Sequence, residues 1–97
     1  MSSKKFIRVR VKYLPQLFQS ITSVEEEELV VEEGTTLNDL LREISRIYGN
    51  ELDKWLLSEV GLSDGVLIVI NGQLTRDLAK KLNDGDEVIL TIPFNGG

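Results

Sequence analysis

Residues 36–49 read Thr-Leu-Asn-Asp-Leu-Leu-Arg-Glu-Ile-Ser-Arg-Ile-Tyr-Gly, and their spacing decides what the rest of the chain must supply. Leu37, Leu40, Leu41, Ile44, Ile47 and Tyr48 recur every three or four positions, which gathers them on one face of a helix. Thr36 stands just before the first apolar residue with Asp39 three positions on, and a threonine oxygen there can accept from first-turn amides. Gly49 follows the last apolar position and suits a left-handed C-terminal cap. The spacing therefore predicts a helix over Leu37 to Tyr48. A single amphipathic helix needs a sheet to cover it.

The flanks supply that sheet. Upstream, Ile7, Val9, Val11 and Tyr13 alternate with Arg8, Arg10 and Lys12, the period of a strand with one buried face. Pro15 stops it, and Leu14 to Val24 is a connection with a short helical turn around Gln16 to Ser20. Glu26 to Glu33 reads as a second strand, antiparallel to the first, broken by Gly34. The acidic run Glu25 to Glu28 reads most simply as a solvated strand entrance, not a metal or partner site.

Downstream, Leu52, Trp55 and Leu56 have helical spacing inside an irregular stretch from Asn50 to Gly65, and Trp55 is expected to cover the core. Val66 to Ile70 is a compact apolar strand, and Asn71-Gly72 is a two-residue hairpin signal leading to a short strand near Gln73 to Thr75. Asp84-Gly85 makes a turn, Glu87 to Ile92 is the last strand, and Pro93 ends it. The order β-β-α-β-β-β gives an α+β domain, a mixed sheet with first and last strands side by side in parallel. The expected core includes Ile7, Val9, Val11, Leu40, Leu41, Ile44, Val69, Val88 and Leu90.

The 97 residues suffice for one domain, expected over 1–92, with 93–97 as a flexible C-terminal tail. At 41% hydrophobic and 28% charged the composition is that of a globular protein. The chain lacks cysteine and histidine, which removes disulfides, thiolate nucleophiles, Cys/His metal sites and the commonest general base. A net charge of -5 disfavours nucleic acid and suits a partner with a basic surface. No apolar run approaches the ~20 residues of a membrane span, and Arg8, Arg10 and Lys12 interrupt any signal-peptide core, so a cytoplasmic protein is expected.

The basic-apolar strand Ile7 to Tyr13, the helix start Thr35-Thr36-Leu37-Asn38-Asp39-Leu40-Leu41 and the apolar turn Val69-Ile70-Asn71-Gly72 are each weak signals. Joined to Leu82-Asn83-Asp84-Gly85-Asp86-Glu87-Val88, one more strand, Pro93 and a final Gly96-Gly97, they become specific. Over nearly its whole length the chain resembles the small subunit of molybdopterin synthase (MoaD) and its relatives, the thiamine sulfur carrier ThiS and the archaeal ubiquitin-like modifiers. The resemblance implies the ubiquitin-like β-grasp fold. It also implies a non-catalytic carrier whose own terminus, Gly96-Gly97, is the working part.

In such a carrier a partner similar to ubiquitin-activating enzymes uses ATP and Mg²⁺ to adenylate the Gly97 carboxylate. The acyl adenylate then takes sulfur as a thiocarboxylate, for delivery inside the large subunit of molybdopterin synthase, or passes to lysines of target proteins. No cofactor is expected on the chain itself. Two glycines let the backbone enter a narrow channel, and Pro93, unable to donate to a ladder, frees the tail. A plain interaction module with an idle tail is the remaining alternative. For docking, Ile89 on the open sheet face and Phe94 beyond the strand are the expected apolar anchors. Arg8 and Arg10 are expected to flank them beside the tail's exit. The competing reading of Arg8, Arg10 and Lys12 is cross-strand pairing with acidic residues.

Overall fold

The computed structural model describes residues 3–58, 61–62 and 65–92, and in it the alternation of the first strand becomes two faces. β1 (Phe6–Tyr13) turns Ile7, Val9, Val11 and Tyr13 inward, fully or almost fully buried, and Arg8 and Arg10 outward. α1 (Gln16–Thr22) runs two residues further than the sequence suggests and buries Phe18. β2 (Glu26–Glu32) then returns antiparallel, with Ile7 opposite Val31 and Val11 opposite Glu27.

α2 (Leu37–Tyr48) has the range expected from its spacing and buries Leu37, Leu40, Leu41 and Ile44. Thr36 Oγ1 accepts from the Asp39 N–H at 3.2 Å, and Asp39 Oδ2 accepts from the Thr36 N–H at 3.1 Å, a reciprocal capping box. The carbonyls of Lys80 and Leu78 accept from the N–H groups of Leu37 and Asn38, so the first-turn donors are satisfied within the fold. Gly49 has φ 85 and ψ -167, which is not the left-handed cap expected of it. The chain passes there directly into α3 (Asn50–Leu56), so no reversing cap forms.

A pair of two-residue antiparallel strands that the sequence did not signal, β3 (Leu57–Ser58) and β4 (Gly61–Leu62), follows α3. β5 (Leu67–Ile70), β6 (Gln73–Thr75) and β7 (Glu87–Thr91) complete a five-stranded sheet in the order β2-β1-β7-β5-β6. β7 lies at its centre, parallel to β1 and antiparallel to β5. Asn71 and Gly72, at φ 50 and 84, make the β5–β6 turn with the positive φ pair such a hairpin needs.

One core assignment is corrected. Val69 faces the open side, opposite Ile89 and Leu74, while Val66, Ile68 and Ile70 point inward. A continuous apolar run carries no period-two signal, so its parity is set only by pairing, here Ile68 with Leu90. The other expected core residues are buried, and Trp55 packs on the cluster as a partly buried cover. Among the described residues no helix is long and apolar enough to cross a membrane.

Candidate functional site

The chain leaves the sheet from its middle. Val88 and Leu90 are buried under the helices, whereas Glu87, Ile89 and Thr91 line the open face, half-buried. Leu90 C=O accepts from the Leu14 N–H at 3.1 Å, and Thr91 lies opposite Leu67. The strand therefore ends between the end of β1 and the start of β5, with Ile92 packed against the core. Pro93, Phe94, Gly96 and Gly97, singled out in the sequence, lie outside the described residues.

The open face divides into two chemistries. On the β5–β6–β7 side, Leu74, Val69 and Ile89 form one cross-sheet row, with Leu67 beside it. Leu74 is 64% exposed, which makes this row an accessible apolar strip. Sequence reading named Ile89 but missed Leu74 and Val69. The signal was present, because a two-residue turn at Asn71-Gly72 pairs Ile70 with Gln73 and so Val69 with Leu74.

The β1–β2 side is charged and paired with itself. Arg8 Nε lies 3.8 Å from Glu28 Oε1, Arg10 Nη1 3.5 Å from Glu26 Oε2, and Lys12 Nζ 3.1 Å from Glu87 Oε2. The basic stripe is thus a set of cross-strand pairs. The register also moves Arg8 and Arg10 away from the chain's exit. Arg10 is level with Glu87, the first residue of β7, and Arg8 N–H donates to Asp84 Oδ1 in the turn before it. Their expected place beside the exit is corrected: because β1 and β7 are parallel, the end of β1 adjoins the end of β7, and Leu14 takes that position. Leu14 is 55% exposed there.

Glu27 departs from the solvated reading of its acidic run. Its inward-facing carboxylate accepts from the Tyr13 hydroxyl at 2.7 Å and also from the Tyr48 hydroxyl. The two rings meet edge to face, centroids 6.2 Å apart. Burial first, then the Glu27 carboxylate, pushes the Tyr13 hydroxyl far above its ordinary range, and the same causes push Tyr48 up to about 12. These phenols are locked donors at neutral pH, so the cluster ties β1, β2 and α2 together. Among the described residues no group of histidine, cysteine, aspartate and glutamate is arranged to hold a metal ion.

A family model described as the ThiS family matches residues 11–97. A Pyrococcus furiosus structure, whose proposed identity is subunit 1 of a molybdopterin converting factor, is 30% identical, with 91% of this chain and 99% of that one covered at a TM-score of 0.75. Small archaeal modifier protein 1 from Methanosarcina acetivorans is 26% identical, covering 96% and 99% at 0.74. The Haloferax volcanii HVO 2177 protein has the same fold at a TM-score of 0.84 with 22% identity, covering 100% and 92%. No curated protein matches the chain in sequence.

Proposed function

The chain belongs to the ThiS family of ubiquitin-fold sulfur carriers and modifiers, and from that premise we propose that it is a sulfur carrier working through the Gly97 carboxylate. A partner enzyme joins this carboxylate to the α-phosphate of ATP, releasing pyrophosphate. A sulfur donor then displaces AMP to leave a thiocarboxylate. The sulfur serves molybdopterin synthesis, a reading favoured by the Pyrococcus relative. We place this work in the cytoplasm, a reading that its use of ATP supports. The observation that carries the proposal is the family match running through Gly96-Gly97, on a chain whose last strand leaves the centre of the sheet.

Binding energy must come largely from the folded domain. Each tail residue fixed in a channel costs about 1–2 kcal/mol of conformational entropy, so a surface beside the exit has to supply the surplus. The apolar strip of Ile89, Val69 and Leu74 is that surface in this reading, and Phe94, singled out in the sequence, is proposed as a further apolar anchor. It serves both the activating enzyme and a large synthase subunit.

The test is ATP–pyrophosphate exchange with the cognate activating enzyme, on the full chain and on a variant lacking Gly97. Exchange should vanish with Gly97 while thermal stability stays nearly unchanged, since a strand's free end carries few contacts. Equal exchange by both proteins refutes the proposal. A second reading, conjugation of Gly97 to target lysines, is favoured by the likeness to the Methanosarcina modifier. Mass spectrometry of material from native cells separates the two. A carrier shows an oxygen-to-sulfur replacement at Gly97, whereas a modifier leaves its C-terminal segment joined through Gly97 to lysines of other proteins, residues 82–97 after trypsin because no lysine or arginine follows Lys81.

A further inference from the structure

We propose that the outer edge of β2 receives an extended basic segment of a partner protein, added to the sheet as a further strand. This goes beyond the carrier chemistry and concerns the side of the sheet away from the apolar strip.

The backbone decides which groups are free. Tyr13 N–H donates to Glu25 C=O, and Glu33 N–H donates to Lys5 C=O. Odd-numbered β2 residues therefore exchange bonds with β1, and the alternation of an antiparallel ladder turns the N–H groups of Glu26, Glu28, Val30 and Glu32 outward. Thr35 occupies the Glu32 carbonyl through its amide and hydroxyl. No strand lies beyond β2 among the described residues. The pairing with β1 runs unbroken from Glu26 to Glu32, with no bulge and no proline. The opposite edge, β6, has only three residues. Exposed edges are commonly blunted by charge, proline or a bulge; β2 has no proline or bulge, and its charges are all acidic, which repels a like-charged strand and admits a basic one.

The side chains state what kind of strand would fit. Glu26, Glu28, Val30 and Glu32 share the open face, and Val30 is 61% exposed. Leu29 and Val31 are half-buried on the other face. An added strand whose residues alternate basic and apolar would set cations opposite the glutamates and extend the Leu29–Val31 side. Between residues 25 and 33 there are six carboxylates. Arg8, Arg10 and Lys4 reach Glu28, Glu26 and Glu32, and the tyrosines hold Glu27. The edge stays net acidic, because Glu25 and Glu33 add uncompensated charge. A second copy fits badly: pairing two β2 strands about Leu29 sets Glu26 against Glu32, and like charges directly opposite destabilise a ladder.

The decisive variant is Val30→Pro, because the Val30 N–H points away from β1 and its loss leaves the β1–β2 ladder intact. The probes are a capped peptide as long as β2 alternating lysine and valine, and its counterpart alternating glutamate and valine. The lysine peptide should bind saturably, and amide exchange should slow at Glu26, Glu28 and Val30. Val30→Pro should weaken it by about tenfold or more while Val30→Ala stays near wild type. Glu28→Lys, independent of any proline effect on folding, should weaken the lysine peptide and strengthen the glutamate one. Absence of saturable binding, equal binding by Val30→Pro, or protection at Val69 and Ile89 instead overturns the proposal. So does concentration-dependent self-association that protects the same β2 amides without peptide.

Discussion

The same strands present two surfaces that differ in almost every respect. On the covered side, Val9, Val11, Ile68, Val88 and Leu90 are sealed beneath α2 and α3 with Leu40, Leu41 and Ile44. On the open side, the neighbours of those residues in sequence split into a charged half that satisfies itself and an apolar half that does not. The buried apolar side chains that hold the fold are concentrated on one side, and the exposed apolar row lies on the other. A surface kept from folding duty can be changed with little effect on the fold, and that separation can be measured.

The largest effect should follow from the covered side. Ile44→Ala removes a fully buried side chain and should cost about 2–5 kcal/mol, read from denaturant unfolding. A loss well below that range would mean that α2 is not the principal cover of the sheet. Next comes the cluster at the edge of that side. Glu27→Ala strands two tyrosine hydroxyls and should cost about 1–3 kcal/mol.

The same cluster sets an alkaline limit. An unfolded tyrosine ionises near ~10, whereas Tyr48 is held at about 12 and Tyr13 higher still. The folded state keeps these protons more tightly. Its stability is therefore whole below pH ~10 and is lost as pH rises through the folded values. The chain has two tyrosines, both in this cluster, so ultraviolet absorbance of tyrosinate reports on it alone. Ionisation at the ordinary tyrosine value in the folded protein would contradict the geometry.

Open-side changes should be smaller for the fold and specific for partners. Ile89→Asp should weaken binding to the activating enzyme by more than about tenfold, or ~1.4 kcal/mol. Leu74→Asp, at a position 64% exposed, should act likewise without the burden of a central strand. Calorimetric titrations in which both variants bind like wild type would leave the apolar strip without a role. Arg10→Ala should do least. Its pair with Glu26 is solvent-exposed, so below ~1 kcal/mol of stability is at stake, shrinking further in salt.

How far the sequence could be read follows the same division. α2, β1 and the Asn71-Gly72 hairpin were legible because each carries a local period or turn chemistry that tertiary contacts reinforce. Val69 was misplaced because five consecutive apolar residues show no alternation. The β3–β4 pair escaped because two-residue strands have no period at all. Glu27 was hidden in a run of like residues, its inward role depending on Tyr48 from a helix that sequence reading cannot bring near it. Of the site, Ile89 came from strand parity, while Gly96 and Gly97 came from the family pattern. Arg8 and Arg10 were set at the wrong end because the parallel register, although anticipated, was not followed along both strands.

The central position of β7 has a mechanical consequence. Held on one side by parallel β1 and on the other by antiparallel β5, the strand meets a pull applied beyond Ile92 as shear along two ladders. Bonds loaded in shear share the force, whereas an edge strand would unzip one bond at a time. A partner that grips the terminus, or must release it from a deep channel, can therefore tug on this chain without unravelling the domain behind it.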